Sequence, residues 1–339
     1  AYEMCGRDWS SDVCSSVLQK VIDLCLDLPQ GEDQIVEELK TYVLRRGEKG
    51  VSNYRNIFGP EKASNVGLTL QELDKIADRM SPEEFDRELR QRARKITTTI
   101  PDFIKEIDDC GVSWGMTRVN TNEQTASVVK LYPQRFMGVA IANPHKGMKA
   151  VRELEVAVKE LGLKGFFASP YNYGLKLNDK KFYPLYAKAV ELNIPVFCYS
   201  TMTYRNDFLM DIAHPLCLDE VAMDFPEMTI VAGWGGGGGW PWVSEMVGVA
   251  RRHQNVYINF SAHRPKYLGT PGSGWEMLIQ FGNTLLQDRV VYASGWSNYF
   301  SYSKGVLRKV IDEVMGLPLK DTVKEKWLYK NAARLFHRE

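Results

Sequence analysis

The stretch Val231-Ala-Gly-Trp-Gly-Gly-Gly-Gly-Gly-Trp-Pro-Trp-Val243 joins an apolar run to five consecutive glycines and to two tryptophans separated by a proline. Glycine adopts backbone conformations that other residues rarely take, whereas tryptophan is a poor choice for a loop that only lies in solvent. Pro241 suits the first turn of a helix that continues to His253. The stretch therefore predicts a strand, a glycine loop that has a function, and a helix. Strand-to-helix turns of this kind are where α/β proteins place their sites.

Composition limits the function classes. The chain has 339 residues, of which 44% are hydrophobic and 25% are charged, as is ordinary for a globular protein. A formal net charge of +1 gives no bulk electrostatic support for a nucleic-acid or anionic membrane partner, and no apolar run approaches the roughly 20 residues of a membrane span. The six cysteines are scattered without CxxC spacing, as buried free thiols are. We therefore expect a cytoplasmic protein with no nucleic-acid and no membrane partner.

The amino-terminal part of the chain departs from the pattern of the rest. Residues 1–17 have the features of neither a signal peptide nor a strand, and we expect a non-native or disordered leader. Residues 29–84 are polar with helical signals, and we expect a helical excursion after the first strand, without a core of its own. Ser81 followed by Pro82 and two glutamates favours a helix start. Residues 18–339 are thus predicted to form one domain.

From Val21 onward, apolar strands alternate with helical segments. Eight strands are predicted, the first beginning at Val21 and the others covering 112–119, 136–142, 163–168, 195–199, 228–233, 256–261 and 289–294. These strands are short and apolar on both faces, which is typical of a parallel sheet covered by helices. Eight such units in roughly 320 residues favour a (β/α)8 TIM barrel over an open doubly wound sheet. The functional site should then lie at the carboxyl ends of the strands, among them 118–120 and 143–145.

Several short segments carry a family resemblance. They are Ile22-Asp23-Leu24-Cys25-Leu26-Asp27, 161–165, 183–186 with 194–197, 218–221 with 225–226, 255–257 and 331–335. On these segments, the chain from about Val21 resembles the amidohydrolase-related family that includes aminocarboxymuconate-semialdehyde decarboxylase and the hydroxybenzoate decarboxylases. The resemblance implies a metal-dependent-hydrolase-like TIM barrel, here with an amino-terminal helical insertion, and a homodimer.

The resemblance also implies a divalent metal. In the family it is bound by a His-x-His pair on strand one, a histidine on strand five and an aspartate on strand eight, while a strand-six histidine helps to activate water. The corresponding residues in this chain are Cys25, Asp27, Tyr199, Gly295 and Trp234. Zinc needs three or four nitrogen, sulfur or oxygen ligands, and a tyrosine is a poor third ligand. We therefore expect no metal and no other cofactor; the alternative is a divalent metal such as zinc.

Three residues are candidates for catalysis. Asp27 should lie in the barrel mouth among aromatic side chains, where partial desolvation raises the pKa of a carboxyl group toward neutrality. It could act as a general acid or base, or accept backbone N–H bonds in a turn. Tyr199 can donate a phenolic proton, and Cys25 is either a nucleophile or inert packing. The predicted catalytic residues are therefore Asp27, Tyr199 and Cys25.

A second group of residues is predicted to bind the substrate. Aromatic side chains this dense indicate a flat or apolar ligand. Arg264 is the candidate for holding a carboxylate because a guanidinium offers two parallel hydrogen bonds, although it could equally be a surface arginine. His214 and His145 lie beside prolines and could cap a helix or point into the mouth. The full set is Arg264, Tyr171, His214, His145, Trp234, Trp240, Trp296 and Tyr204.

These observations lead to a functional hypothesis. We expect a metal-independent lyase, a decarboxylase or a hydratase/dehydratase, that acts on a small aromatic or unsaturated carboxylic acid by acid/base catalysis. Both reactions can proceed by proton transfer, whereas amide hydrolysis needs an activated water. Two alternatives stay open: a metal-dependent hydrolase or decarboxylase with a reorganised site, and a catalytically inactive barrel that binds a ligand.

Overall fold

Short parallel strands alternate with helices along the chain. The structure is a computed structural model that describes residues 20–26, 28–29, 31–203, 206–233, 241–260, 270–295 and 306–338. The strands in these residues are β1 (Val21–Asp23), β2 (Val112–Thr117), β3 (Phe136–Gly138), β4 (Ala140–Ile141), β5 (Phe166–Ala168), β6 (Val196–Cys198), β7 (Ile230–Ala232), β8 (Val256–Phe260) and β9 (Val290–Tyr292).

Helices precede or follow each strand and cover the sheet. They are α1 (Glu32–Leu44), α2 (Val51–Asn65), α3 (Leu70–Arg79), α4 (Pro82–Ala93), α5 (Ile100–Asp109), α6 (Asn122–Leu131), α7 (Met148–Lys159), α8 (Pro170–Tyr173), α9 (Tyr183–Glu191), α10 (Cys217–Asp224), α11 (Val243–Arg252), α12 (Glu276–Gly282), α13 (Val306–Met315), α14 (Asp321–Glu325) and α15 (Asn331–Leu335). Short 3-10 turns at Pro144–Lys146 and Met210–Ala213 and a π-helical turn at Lys326–Lys330 complete the set. None of the helices within the described residues is both long and apolar enough to cross a membrane.

All strand pairs are parallel, as predicted. β1, β2 and β3 form one ladder, and β4 to β9 form another in chain order. The chain changes neighbours at Val139, whose N–H donates to the carbonyl of Thr117 (3.0 Å), while the next N–H, of Ala140, donates to Gly165 (2.8 Å). The two short strands β3 and β4 therefore correspond to the single predicted strand 136–142, and the nine pieces correspond to the eight predicted strands.

The first and last strands meet without forming a ladder. Leu24 donates its N–H to the carbonyl of Tyr292 (3.1 Å), and Gly295 donates to the carbonyl of Cys25 (3.0 Å). These hydrogen bonds join the two edges of the sheet in the register expected for residues 290–294 beside 21–26. The fold is the (β/α)8 TIM-barrel class with its carboxyl strand ends at one face.

Side chains alternate between the barrel interior and the helical layer. On β8, Ile258 and Phe260 pack in the large cluster under the helices, whereas Tyr257 packs against the interior cluster. The interior is aromatic near the amino end, where Phe336 contacts Trp114 edge-on at a centroid distance of 5.5 Å. Each such buried side chain contributes about 1.5–3 kcal/mol to folding, so the interior is a packed core and not a channel.

The helical excursion differs from the expectation in one respect. Helices α1 to α4 bury Leu39, Leu73, Phe85 and Leu89 in a hydrophobic cluster of their own, which extends to Ala93. The expectation that 29–84 lacks a separate core is therefore wrong. The polar composition indicated the helices, but it did not show that apolar faces such as those of α1 and α4 would pack against each other. The assignment of 18–339 to one domain stays a prediction.

Candidate active site

Asp23 fastens the two edge strands together at the carboxyl end. Its side chain is fully buried, and Oδ1 accepts N–H bonds from Cys25 (3.0 Å) and from Ser294 (2.9 Å). Burial raises the pKa of this carboxyl to about 6, against the lowering effect of the hydrogen bonds from Ser294 and Cys25. Asp23 therefore positions the two backbone segments that enter the mouth. Sequence reasoning passed over it, although an aspartate between Ile22 and Leu24 in a buried strand was the signal.

Cys25 and Asp27 follow β1. Cys25 is buried, and it packs with the interior cluster beside Leu24. Its backbone carbonyl accepts the N–H of Gly295, so the segment that carries Cys25 is fixed against the last strand. This burial favours the packing alternative for Cys25 over a nucleophilic role. Asp27 lies outside the described residues, and its role as an acid or base stays a prediction.

Tyr199 and Tyr171 form an aromatic pair above β5 and β6. Their rings meet edge-on with centroids 5.2 Å apart. The Tyr171 hydroxyl donates to the carbonyl of Thr201 (2.6 Å), and burial raises the pKa of Tyr171 well above its ordinary value. The neutral Tyr171 hydroxyl therefore holds the loop after β6. Its ring, and not its hydroxyl, could contact a ligand. Tyr199 is half-buried against both the interior cluster and Tyr171, as a residue at the mouth should be.

Arg118 brings a cation to the inner face of the barrel. It continues the alternation of Trp114 and Met116, two residues of the interior cluster, by one further step past the end of β2. Its guanidinium lies over the ring of Phe167, 4.6 Å from the centroid. Among the residues that the structure describes, no carboxylate lies within ion-pair distance of it. Sequence reasoning placed Arg118 at a strand end but chose Arg264, which lies outside the described residues.

Asn259 places an amide inside the barrel. It is fully buried on β8, where it stands opposite Val291 and alternates with Tyr257 on the inner face. Within the described part of the chain, neither its Oδ1 nor its Nδ2 has a hydrogen-bond partner. A buried amide is almost always satisfied, so Asn259 requires an explanation. The signal in the sequence was an asparagine at an inward position of an apolar strand.

The two predicted histidines lie away from the interior. His145 is exposed, and its Nε2–H donates to the carbonyl of Tyr173 (2.8 Å) while Nδ1 accepts from Lys181 (3.2 Å). His214 accepts the N–H of Leu216 on Nδ1 (3.3 Å), and its ring packs on Trp242 with centroids 4.6 Å apart. These contacts correspond to the turn and capping alternative for both residues.

The glycine loop begins at a fixed backbone position. The N–H of Gly233 donates both to the carbonyl of Cys198 (3.1 Å) and to Oγ of the buried Ser200 (2.8 Å). Gly233 has φ of 92°, which favours glycine. Gly233, the last described residue before the glycine run, is therefore held beside the Tyr199 segment. The predicted ligand contacts Trp234, Trp240, Tyr204 and Trp296 lie outside the described residues and stay predictions.

The positions that hold the family's metal do not fit a metal where the structure describes them. Gly295 has φ of 59°, the left-handed region that suits glycine, and offers no side chain. Tyr199 offers a phenol, which is a poor ligand for zinc, and Cys25 supplies a single thiol. Across the described ranges, no group of three His, Cys, Asp or Glu residues could hold a metal ion.

Two cavities lie at the edges of the barrel. One, of about 450 Å³, is at the amino ends of the strands beside Phe136 and Phe336. The other, of about 500 Å³, lies on the outer rim between Asn122 and Tyr173. Neither cavity is lined by Arg118, Tyr199 or Asn259, and TIM-barrel enzymes place their chemistry in the barrel mouth, at the carboxyl ends of the strands. The candidate site is therefore the mouth, which Arg118, Asn259 and Tyr199 border from three different strands.

The chain is similar in sequence and in fold to known proteins. A sequence profile described as amidohydrolase matches residues 99–338. The chain belongs to the amidohydrolase family. The match covers most of the barrel, from the residue before α5 to Arg338.

One curated relative is 2-keto-4-carboxy-3-hexenedioate hydratase from Sphingobium sp. (strain NBRC 103272 / SYK-6). It is 31% identical over 134 residues, which are 34% of this chain and 39% of the hydratase. The chain thus matches well under half the length of that relative.

Solved structures share the fold over nearly the whole chain. A TIM-barrel protein from Bordetella bronchiseptica has a TM-score of 0.62 at 22% identity, covering 94% of this chain and 99% of that one. A 5-carboxyvanillate decarboxylase from Novosphingobium aromaticivorans, complexed with manganese and 4-hydroxy-3-methoxy-5-nitrobenzoic acid, has a TM-score of 0.56 at 17% identity, covering 95% and 96%. At these identities the likeness establishes the barrel fold alone.

Proposed function

We propose that the protein is a lyase that acts without a metal on a small aromatic or unsaturated carboxylic acid, with Asp27 and Tyr199 moving protons. The observation that carries the proposal is the arrangement of Arg118, whose guanidinium lies on Phe167 inside the carboxyl end of the barrel. A cation that lies on an aromatic ring and has no described carboxylate partner suits an anionic, flat ligand. The adjacent rings of Tyr199 and Tyr171 extend the same apolar wall.

The chemistry requires only proton transfer. In a decarboxylation, an acid protonates the carbon that bears the carboxylate; the carbon–carbon bond then breaks, its electrons restore the π-system, and CO₂ leaves. In a hydration, a base takes a proton from water as the oxygen adds to a double bond, and an acid protonates the neighbouring carbon. Asp27 is the group proposed to hold the moving proton, and Tyr199 the group that hydrogen-bonds the developing oxyanion or supplies the second proton.

A metal-dependent decarboxylase with a reorganised site is the second candidate. It is favoured by one specific observation, the manganese present in the decarboxylase structure that shares this fold. Against it stands the ligand set of this chain, in which glycine and tyrosine replace two of the metal-binding side chains. A homodimer and a cytoplasmic location are further proposals. No disulfide joins the described cysteines Cys25, Cys110, Cys198 and Cys217 to one another, as a reducing compartment favours.

A substrate panel tests the proposal. The purified protein is incubated with hydroxybenzoates, for which CO₂ release is measured, and with unsaturated keto acids, for which loss of the conjugated absorbance reports hydration. We expect turnover in one of the two groups. Binding of these acids without turnover by any of them would support the inactive barrel, and cleavage of amide substrates would support the hydrolase.

A further inference from the structure

Two polar side chains of the inner face stand on opposite walls of the mouth. Arg118 follows β2, and Asn259 lies near the carboxyl end of β8. Going around the barrel in one direction, β1 and β9 separate the two strands, and in the other direction β3 to β7 do. Both residues continue the inward alternation of their strands, so their side chains approach the same space from different sides.

The buried amide of Asn259 is costly without a ligand. An amide that loses water on folding and gains no protein partner destabilises the folded state, whereas an apolar side chain of the same size would not. Arg118 shows the complementary feature, since its guanidinium has a ring beneath it and, in the described part of the chain, no carboxylate beside it. Unsatisfied groups of this kind are retained where something else satisfies them.

We infer that Arg118 and Asn259 bind opposite ends of one substrate: the carboxylate on the guanidinium and a hydroxyl or keto oxygen on the amide. The inference rests on the proposed substrate class and narrows it to acids that carry an oxygen at the end remote from the carboxylate. An amide can donate to a keto oxygen or an enolate and accept from a hydroxyl, so it recognises either form of such a group. The planar part of the ligand would then lie near the Phe167 ring between the two.

A second buried asparagine provides the control. Asn331 is also fully buried, but its Nδ2 donates to the carbonyls of Gln287 (2.9 Å) and Val290 (2.8 Å). Replacement of Asn331 by leucine leaves two buried carbonyls without a donor, so Asn331→Leu should lower the melting temperature by about 5 °C. Asn259→Leu removes an amide that has no hydrogen-bond partner among the described residues. The melting temperature should therefore stay the same or rise by about 2 °C.

Binding is measured by calorimetry with 4-hydroxybenzoate and benzoate, which differ only in the oxygen remote from the carboxylate. We expect the wild-type protein to prefer 4-hydroxybenzoate about tenfold, the value of one hydrogen bond. Asn259→Leu should abolish the preference by weakening only the hydroxylated acid. Arg118→Met should weaken both acids about tenfold or more, since both present the carboxylate.

Three results would overturn the inference. They are a loss of stability in Asn259→Leu equal to that in Asn331→Leu, an unchanged preference for the hydroxyl in Asn259→Leu, and no binding of either acid by the wild type. The proposed lyase function fails separately. If the preference disappears in Asn259→Leu but no acid is turned over, the binding site stands and the lyase does not; if turnover is found and kcat/KM is the same in Asn259→Leu, the lyase stands and the inference fails.

Discussion

Asn331, beside the amino end of β9, and Asn259, near the carboxyl end of β8, are both fully buried, yet among the described residues only Asn331 has hydrogen-bond partners. At the amino end, the Asn331 amide donates to Gln287 and Val290. At the carboxyl end, the Asn259 amide has no partner in the described residues. The amino end of a TIM barrel stabilises the fold, whereas the carboxyl end carries the chemistry. The difference teaches that two asparagines of equal burial can serve different purposes: one satisfies backbone carbonyls at the amino end, and the other is the one that we infer to bind a ligand near the carboxyl end.

The largest effect should come from Asp27, the carboxylate predicted to lie at the carboxyl end. Asp27→Asn keeps the shape of the side chain and removes its proton, so we expect turnover to fall by about 10² to 10⁴, or roughly 3 to 5 kcal/mol of barrier. Steady-state kinetics on the best substrate measure it. The matched control is Asp321→Asn, at an exposed helix start, which should leave turnover unchanged. If Asp27→Asn retained wild-type turnover, Asp27 would not be the acid or base of the reaction.

Asp23 lies at the carboxyl end of the barrel, but its substitution should change the pH dependence of folding stability. Its pKa in the folded state is about 6, above the ordinary value of 3.8, so between these pH values the folded protein binds more protons than the unfolded chain. Stability should therefore fall as pH rises through this window, by about 3 kcal/mol for a shift of this size. Asp23→Asn, whose Oδ1 can still accept both N–H bonds, should lack this component. Urea unfolding of the wild type and of Asp23→Asn at pH 4 and pH 7.5 measures the free energy of unfolding of each. The same change with pH in both proteins would contradict a raised pKa of Asp23.

The amino end should respond in stability alone. The half-buried Asn255 donates from Nδ2 to the carbonyls of Phe225 (3.1 Å) and Met228 (2.9 Å), immediately before β8. Asn255→Ala removes both hydrogen bonds and should cost about 1–2 kcal/mol in the free energy of unfolding. Its kcat should remain that of the wild type at a temperature where the variant is folded. A lower kcat in Asn255→Ala without a change in stability would show that the amino end takes part in the chemistry.

The smallest effect is expected at Tyr199. Tyr199→Phe keeps the ring against Tyr171 and removes one hydroxyl, so kcat should fall about tenfold with little change in stability. Tyr183→Phe is the matched control, because the Tyr183 hydroxyl donates to Asp224 (2.8 Å) on the outer surface. Equal kinetics in the two variants would exclude the Tyr199 hydroxyl from the reaction.

The sequence allowed the barrel to be predicted because each strand is a short apolar run bounded by turn residues, so that eight units could be counted along the chain. It did not reveal the core of the amino-terminal helices, since their apolar faces are narrow and are completed only by packing. At the mouth, it indicated Tyr199 and the Tyr171 ring. It could not show that the Tyr171 hydroxyl and both His145 nitrogens are already engaged by backbone or lysine groups.

Asp23, Arg118 and Asn259 were missed for a different reason. Each stands in an alternating strand pattern that can be read from the sequence, but whether a buried polar group has a partner depends on which neighbouring strand lies beside it. The bond from Ser294 to Asp23 spans almost the whole chain. Long-range pairing of this kind is fixed by the closure of the barrel and leaves no local signal.

The most direct test of metal-free proton transfer at the carboxyl end is a joint measurement of metal content and turnover on one sample. The protein is dialysed against a chelator, its metals are quantified by mass spectrometry, and kcat is recorded before and after manganese or zinc is added. We predict full turnover with far less than one metal ion per chain and no gain on addition. Turnover that is lost with the metal and restored in proportion to one added ion per chain would contradict it.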